Sequence, residues 1–122
     1  MARKVTGAAS REQELYLRHA EMCKVLSHPT RLEAINMLRE GEMNVTELAR
    51  RLNTTLGNLS QHLIMMRQRG MLASRKEGNV VYYHLANPKM LKAFDILREV
   101  LFEQLEREGE LVKGHGQRSG RE

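Results

Sequence analysis

Aromatic residues and cysteines are scarce in this chain of 122 residues. Aromatic side chains make up 4% of the sequence, so leucine, methionine, isoleucine, valine and alanine must fill the hydrophobic core. A single cysteine, Cys23, excludes an intrachain disulfide and fits a reducing compartment. No segment approaches the roughly 18 consecutive apolar residues that span a bilayer, and residues 1–10 lack the apolar segment of a signal peptide. We therefore expect a cytoplasmic protein that does not contact the membrane.

The length and the charge of the chain narrow its class. A chain of 122 residues favours one domain, near the small end of what folds alone. Its small, aromatic-poor core leaves a reason to dimerise, because a second subunit would bury more apolar surface. The net charge of +5 and the sequence pI of about 9.7 suit a polyanionic partner, although charge alone does not identify one.

Three segments are predicted from composition and capping signals. Residues 1–9 are small and polar and are predicted to be a flexible arm, residues 10–107 to be the folded domain, and residues 108–122 to be a disordered tail. Ser10 and Gln13 have the spacing of a capping box, which predicts a helix start. Pro29 suits the first turn of the next helix, and Gly41 suits a left-handed position at its end.

The stretch 44–85 carries the most informative pattern. Asn44 and Glu47 have capping-box spacing for a third helix, and Thr54 or Thr55 can cap a fourth. The fourth helix is predicted to bury Leu56, Leu59, Leu63 and Met66 and to end at Gly70. A basic hairpin follows, with Gly78 supplying a positive φ in its turn. This order predicts a mainly α fold with a small β-hairpin wing, a winged helix-turn-helix that fits the major groove of DNA.

The outward side of the first two turns of the fourth helix is small and polar. If Leu59 marks the buried side, Gly57 and Gln61 fall opposite, with Asn58 and Ser60 on the flanks. Glutamine and asparagine can bind adenine edges, serine can donate or accept, and glycine lets the backbone approach closely. A solvated polar face is the alternative interpretation, and the adjoining capped helix and basic hairpin favour base recognition.

Side chains suited to DNA phosphates surround this helix. Basic residues end the third and fourth helices and lie on the hairpin, and together they would position the protein on the duplex. Any one of them is equally explained as a surface residue, so the cluster carries the interpretation. The predicted phosphate and wing contacts are Thr54, Arg51, Arg67, Arg75 and Lys76.

The last helix, opened by Pro88, has a wider apolar face than one core contact requires. The excess predicts that a second subunit packs against it. The predicted dimer interface comprises Tyr16 of the first helix and Leu91, Phe94, Leu97, Leu101 and Leu105 of the last.

With these parts in place, the chain resembles the ArsR/SmtB family of bacterial and archaeal repressors over roughly residues 12–106. The matching segments are V-L-S-H-P-T-R-L-E-A-I-N-M-L, T-E-L-A-R-R-L, L-S-Q-H-L and the wing R-K-E-G-N-V-V-Y-Y-H-L. The resemblance implies a homodimer joined through the first and last helices, on a pseudo-palindromic double-stranded operator, with repression relieved by an effector. It also implies base contacts from the start of the fourth helix, here Thr55, Gly57, Asn58, Ser60 and Gln61.

The chain departs from the sensor sites known in that family. The arsenic and cadmium type has thiols where this chain has Asn44 and Thr46, so its soft-metal ligands are missing. The zinc type has a histidine two residues after an aspartate on the last helix, and this chain has Leu97 at that distance from Asp95. The persulfide type needs two cysteines, and this chain has one. No metal site and no resident cofactor are therefore predicted.

One pair of residues keeps the sensor question open. His19 and Cys23 lie four residues apart, on one side of the first helix and near the expected dimer interface. We expect Cys23 to be a small buried residue and His19 to be polar rim. The alternative is a metal, haem or thiol-reactive effector bound there with the partner subunit.

The sequence also bears on three other classes of protein. The chain has no nucleophile–base pair and no phosphate-binding loop, so we predict that it is not an enzyme. A winged-helix module for protein–protein interaction would more often expose an apolar patch on the fourth helix. A constitutive DNA-binding regulator without an effector fits the missing ligands. His28 is read as a helix-start residue and His62 as a packing residue.

Overall fold

A computed structural model describes the backbone of residues 7–115 and the side chains of residues 10–109. The chain divides into two compact units between Asn87 and Pro88. The helices are α1 (Gly7–Val25), α2 (Pro29–Met37), α3 (Val45–Leu52), α4 (Leu56–Gln68) and α5 (Met90–His115), and the strands are β1 (Met43–Asn44), β2 (Leu72–Glu77) and β3 (Val80–Leu85). No helix within the described part combines the length and the apolar character that a bilayer span requires.

The first helix begins earlier than the sequence predicted. α1 starts at Gly7, so residues 7–9 of the predicted arm are helical and Ser10 lies inside the helix. Alanine is the strongest helix former, and Ala8 and Ala9 extend the helix past the capping signal. Residues 1–6 of the predicted arm lie outside the described residues.

Two side-chain caps build the helix-turn-helix. The Asn44 side chain accepts the backbone N–H of Glu47 at 2.8 Å and caps α3, as predicted. Thr55, rather than Thr54, caps α4 by accepting the N–H of Asn58 at 3.2 Å. Asn53 adopts a left-handed conformation with φ of 54°, which asparagine tolerates, and the turn between the helices is therefore short.

The wing is a three-stranded antiparallel sheet in the order β1-β3-β2. Gly78 has a φ of 65° and begins the two-residue turn between β2 and β3, which confirms the predicted role of this glycine. The sequence did not predict β1, because two residues are too few to show an alternating pattern. β1 pairs Met43 with Tyr83 and so ties the start of α3 to the wing.

The core lies where α2, α3 and α4 meet the wing. Its largest fully buried side chains are Ile35, Leu48, Leu59, Leu63 and Met66. Leu56, which was predicted to be buried, is 49% exposed. It is the first residue of α4, a turn before the core contact of Leu59, and Thr55 and Gly57 beside it are exposed as well.

The glycines predicted at the ends of two helices show one confirmation and one difference. α4 stops at Gln68, and Gly70 follows with a φ of 81°, as predicted. Gly41 ends a short 3₁₀ turn with a φ of 134° and a ψ of 179°, a region that is open to glycine but differs from the predicted left-handed cap.

α5 runs to His115, so residues 108–115 are helical rather than a disordered tail. A glycine inside a helix, such as Gly109 or Gly114, destabilises it by only about 1 kcal/mol relative to alanine. The four residues between these glycines include no proline, so nothing in that segment ends the helix. Residues 116–122 lie outside the described residues.

Candidate nucleic-acid interface

The predicted base-reading residues share one surface at the start of α4. Thr55, Gly57, Asn58 and Gln61 are exposed, and Ser60 is half-buried on the flank. The opposite side of the helix is fixed in the core by Leu59, Leu63 and Met66. The core therefore holds the polar face in one orientation relative to the wing, as recognition of base edges requires.

Asn58 is the one predicted base reader whose amide is already bonded. Its Nδ2 donates to the Thr54 hydroxyl at 3.1 Å, across the turn that precedes α4. The amide oxygen of Asn58 and the O–H of Thr54 remain available to a ligand. Thr54, a predicted phosphate contact in the turn before α4, thus orients the side chain of Asn58, a predicted base contact.

Arg75 on β2, a predicted wing contact, is already paired with carboxylates of its own chain. Its guanidinium grips the Glu42 carboxylate through Nε, 3.0 Å from each oxygen, and through Nη2. Nη1 donates to Glu77 at 3.0 Å, and the guanidinium carbon lies 4.5 Å from the Tyr82 ring centre. The hydrogen bond from Arg75 lowers the pKa of Glu42, and the bond to Glu42, with that to Glu77, raises the pKa of Arg75.

The remaining basic phosphate candidates differ in their partners within the chain. Arg50 and Arg51 each pair with Glu47 at 2.9 Å. The hydrogen bond from Arg50, followed by that from Arg51, lowers the pKa of Glu47. Arg67 donates to the Ser74 hydroxyl at 3.3 Å, which bridges the end of α4 to the wing. Within the described part of the chain, Lys76 is the exposed wing cation without a carboxylate partner.

Sequence reasoning missed a polar contact between α2 and α4. Arg31 donates through Nε to His62 Nδ1 at 2.9 Å and through Nη1 to the Val25 carbonyl at 2.7 Å. The His28 and His62 rings lie 5.4 Å apart between centres. Burial, followed by the charges of Arg31 and His28, lowers the pKa of His62. Arg31 and His62 both lie in segments that the sequence analysis singled out. Their contact depends on how α2 packs against α4, which no local sequence pattern predicts.

A shallow pocket of about 310 Å³ lies between this contact and the residues predicted to read bases. Arg31 and His62 form part of its lining, and Asn58 and Gln61 of the polar face form another part. The contact therefore lies next to the side chains that would meet DNA bases.

The predicted sensor residues are both on the surface of the chain. His19 and Cys23 are exposed, as is every side chain from Arg11 to Lys24. The expectation that Cys23 is buried is wrong for the single chain, because Val25 is the one buried side chain among the described residues 10–25 of α1. Among the described residues, no three histidine, cysteine or acidic side chains converge as metal ligands would.

The predicted dimer residues are also largely uncovered. Tyr16 on α1 is 66% exposed, and on α5 Leu97, Leu101 and Leu105 are at least half exposed. Leu91 and Phe94 are half-buried. Ile96 and Phe102 add exposed apolar surface to α5.

This fold and this polar helix define a winged helix-turn-helix of the DNA-binding kind. A family model described as "Bacterial regulatory protein, arsR family" matches residues 28–74. The uncharacterized HTH-type transcriptional regulator Rv0081 of Mycobacterium tuberculosis is 36% identical over 93 residues, which are 73% of this chain and 79% of that protein. The transcriptional activator HlyU of Vibrio cholerae is 31% identical over 97 residues, 77% of this chain and 90% of HlyU. Further relatives are named as repressors.

Solved structures agree with these matches. The crystal structure of Rv0081 superposes with a TM-score of 0.69 at 34% identity and covers 77% of this chain and 95% of that one. The homodimeric winged helix-turn-helix DNA-binding domain of Mb0332 from Mycobacterium bovis gives a TM-score of 0.72 at 27% identity, covering 84% and 95%. The chain belongs to the arsR family of bacterial regulatory proteins, so it is a transcriptional regulator and not an enzyme.

Proposed function

We propose that this protein is a dimeric, sequence-specific repressor that binds a pseudo-palindromic operator and leaves it when an effector binds. The observation that carries the proposal is the polar, exposed start of α4, with Thr55, Gly57, Asn58 and Gln61 beside the wing. Such side chains can bond to base edges in the major groove, and Lys76 and Arg67 flank them as candidate phosphate ligands.

Dimerisation is supported by the apolar surface that the single chain leaves uncovered. One side of α5 carries Leu97, Leu101 and Leu105, which are 56%, 50% and 61% exposed. This much apolar surface on one side of a helix indicates that another subunit covers it. The relative from Mycobacterium bovis is homodimeric. A two-fold dimer would present two copies of α4 to half-sites about 34–36 Å apart, and the operator would be palindromic for that reason.

A protein–protein interaction module is the alternative from another class. It would favour an apolar patch on the outer side of α4, where this chain mainly exposes amides, a hydroxyl and a glycine. Leu56 at the start of the helix and Ile64 two turns later, which is 39% exposed, are the apolar exceptions. Leu56 can contact a thymine methyl group. Repression is preferred to activation because occupancy of the operator is sufficient for it, whereas an activator must also contact the transcription machinery.

The test is to select bound fragments from genomic DNA and to compare variants on the selected site and on random DNA. Gln61→Ala should weaken binding to the selected site by about 1–3 kcal/mol more than binding to random DNA, the range of one good base contact. Gln68→Ala is the matched control, because it removes the same side chain from the last turn of α4. Equal losses on both DNAs for Gln61→Ala would show that α4 does not read bases there.

The candidate effector site is the pair His19 and Cys23 on α1. His19 and Cys23 are one helical turn apart on the exposed face of α1, and a metal, haem or thiol-reactive effector held by both subunits would meet them there. We nevertheless expect Cys23→Ser to keep operator binding and its regulation nearly intact. The measurement is operator release by peroxide, polysulfide, haem or zinc. A reagent that releases the wild type but not Cys23→Ser would make Cys23 the sensor.

A further inference from the structure

Arg31 connects three segments of the helical unit through one guanidinium. It belongs to α2, it bonds the carbonyl of Val25 at the end of α1, and it bonds the ring of His62 on α4. The last carbonyls of a helix lack partners within the helix and carry partial negative charge, so a cation at that position is favourable. The same cation reaches the flank of the base-reading helix.

The bond to His62 requires one protonation state. Arginine has only donors, so the ring nitrogen that faces Arg31 must carry a lone pair. Nδ1 is therefore unprotonated, and a neutral ring has its hydrogen on Nε2. A second proton on the ring would remove the acceptor and place an N–H against the guanidinium.

We propose that Arg31 and His62 form a proton-sensitive positioning pair, which holds α4 at its base-reading orientation on α2. When His62 takes up a proton, the pair separates and sequence-specific DNA affinity falls. The inference rests on the proposed function, because it assigns a positioning role behind the residues that read bases. The proposal does not require either side chain to contact a base.

The surroundings of His62 determine the direction of this effect. Within the described residues, the charged or titratable groups that act on the ring are Arg31 of α2 and His28 before α2, and both oppose a positive charge on it. Burial and these two groups keep the pKa of His62 below the ordinary histidine value of 6.5, so the pair is intact at neutral pH. Unfolded chains take up the proton at higher pH than folded ones, so stability also declines as pH falls below about 6.5.

The experiment measures affinity for the selected operator and for random DNA between about pH 7.5 and 5, the range in which histidine changes charge, and it extends to the acid end because the pKa of His62 is lowered. For the wild type, the ratio of specific to random affinity should fall by about 2- to 12-fold, the range of one net hydrogen bond. His62→Asn keeps an acceptor near the Nδ1 position and does not titrate, so its ratio should be flat. His84→Asn, which removes an exposed wing histidine, should retain the wild-type fall.

A second variant guards against loss of fold in the first. Arg31→Gln should lower specific affinity at about pH 7.5 by the same 2- to 12-fold and remove the pH dependence, while random DNA binding stays the same. Thermal melts check that each variant is folded. An unchanged pH profile in His62→Asn would overturn the proposal, and so would equal losses on both DNAs for Arg31→Gln, which would identify a phosphate contact. Failure of the wild type to select any site would instead refute the proposed function.

Discussion

Arg75 has its partners within the protein before DNA arrives. The carboxylate of Glu42 takes two of its nitrogens and that of Glu77 takes the third. The local sum of one cation and two anions is negative, and an approaching phosphate meets that sum rather than a bare guanidinium. The predicted wing contact therefore competes with an internal ion pair.

At the scale of this residue, Glu42→Gln should strengthen binding to both operator and random DNA, because one of the opposing carboxylates is neutralised. The expected gain is about 1.5- to 5-fold, which corresponds to the worth of an exposed ion pair. Fluorescence anisotropy with labelled duplexes measures it.

The matched control is Glu40→Gln, which removes the same charge two residues earlier, from an exposed side chain outside the Arg75 pair. An equal gain in this control would assign the effect to net charge alone. A loss of affinity in Glu42→Gln would show that Glu42 orients Arg75 toward DNA instead of opposing it.

At the scale of the elements, local signals predicted what local forces determine. Asn44 caps α3 and Gly78 starts the hairpin turn because each conformation depends on one or two neighbouring residues. The order helix, turn, helix and ribbon followed from such signals, and it was sufficient to predict the winged fold.

Other features depended on contacts that no local pattern records. β1 exists because Met43 pairs with Tyr83, forty residues away, and Glu42 meets Arg75 in the same region of the wing. Arg31 meets His62 across two docked helices. The positions of the candidate base-reading residues could thus be predicted from helix periodicity, whereas the hydrogen-bond partners of Arg31 and Arg75 could not.

At the scale of the whole molecule, the apolar surface of the helices is the main feature that one chain leaves unexplained. Leu15, Tyr16 and Leu17 on α1 are each about two-thirds exposed, and Phe102 on α5 is 64% exposed. Exposed apolar side chains of this size are unfavourable in water, and several on one helix mark a site of association. A second copy of the chain accounts for it most simply.

The corresponding prediction is that Leu97→Glu combined with Leu101→Glu gives monomers with much weaker operator binding, because each charge would have to be buried in the interface. Sedimentation at micromolar concentration measures the state of association. Lys92→Glu is the control, since Lys92 lies on the other side of α5 and is exposed. A wild type that sediments as a monomer would refute the dimer.

The paired wing arginine also bears on how ionic strength acts. DNA gives up condensed cations when protein charges neutralise its phosphates, which makes affinity fall as salt rises. Lys76 would take part in that exchange as a free ammonium, whereas Arg75 brings two carboxylate counterions of its own. Two adjacent basic residues on β2 therefore differ in kind, since salt concentration governs the contribution of Lys76, and a swap of carboxylate for phosphate governs that of Arg75.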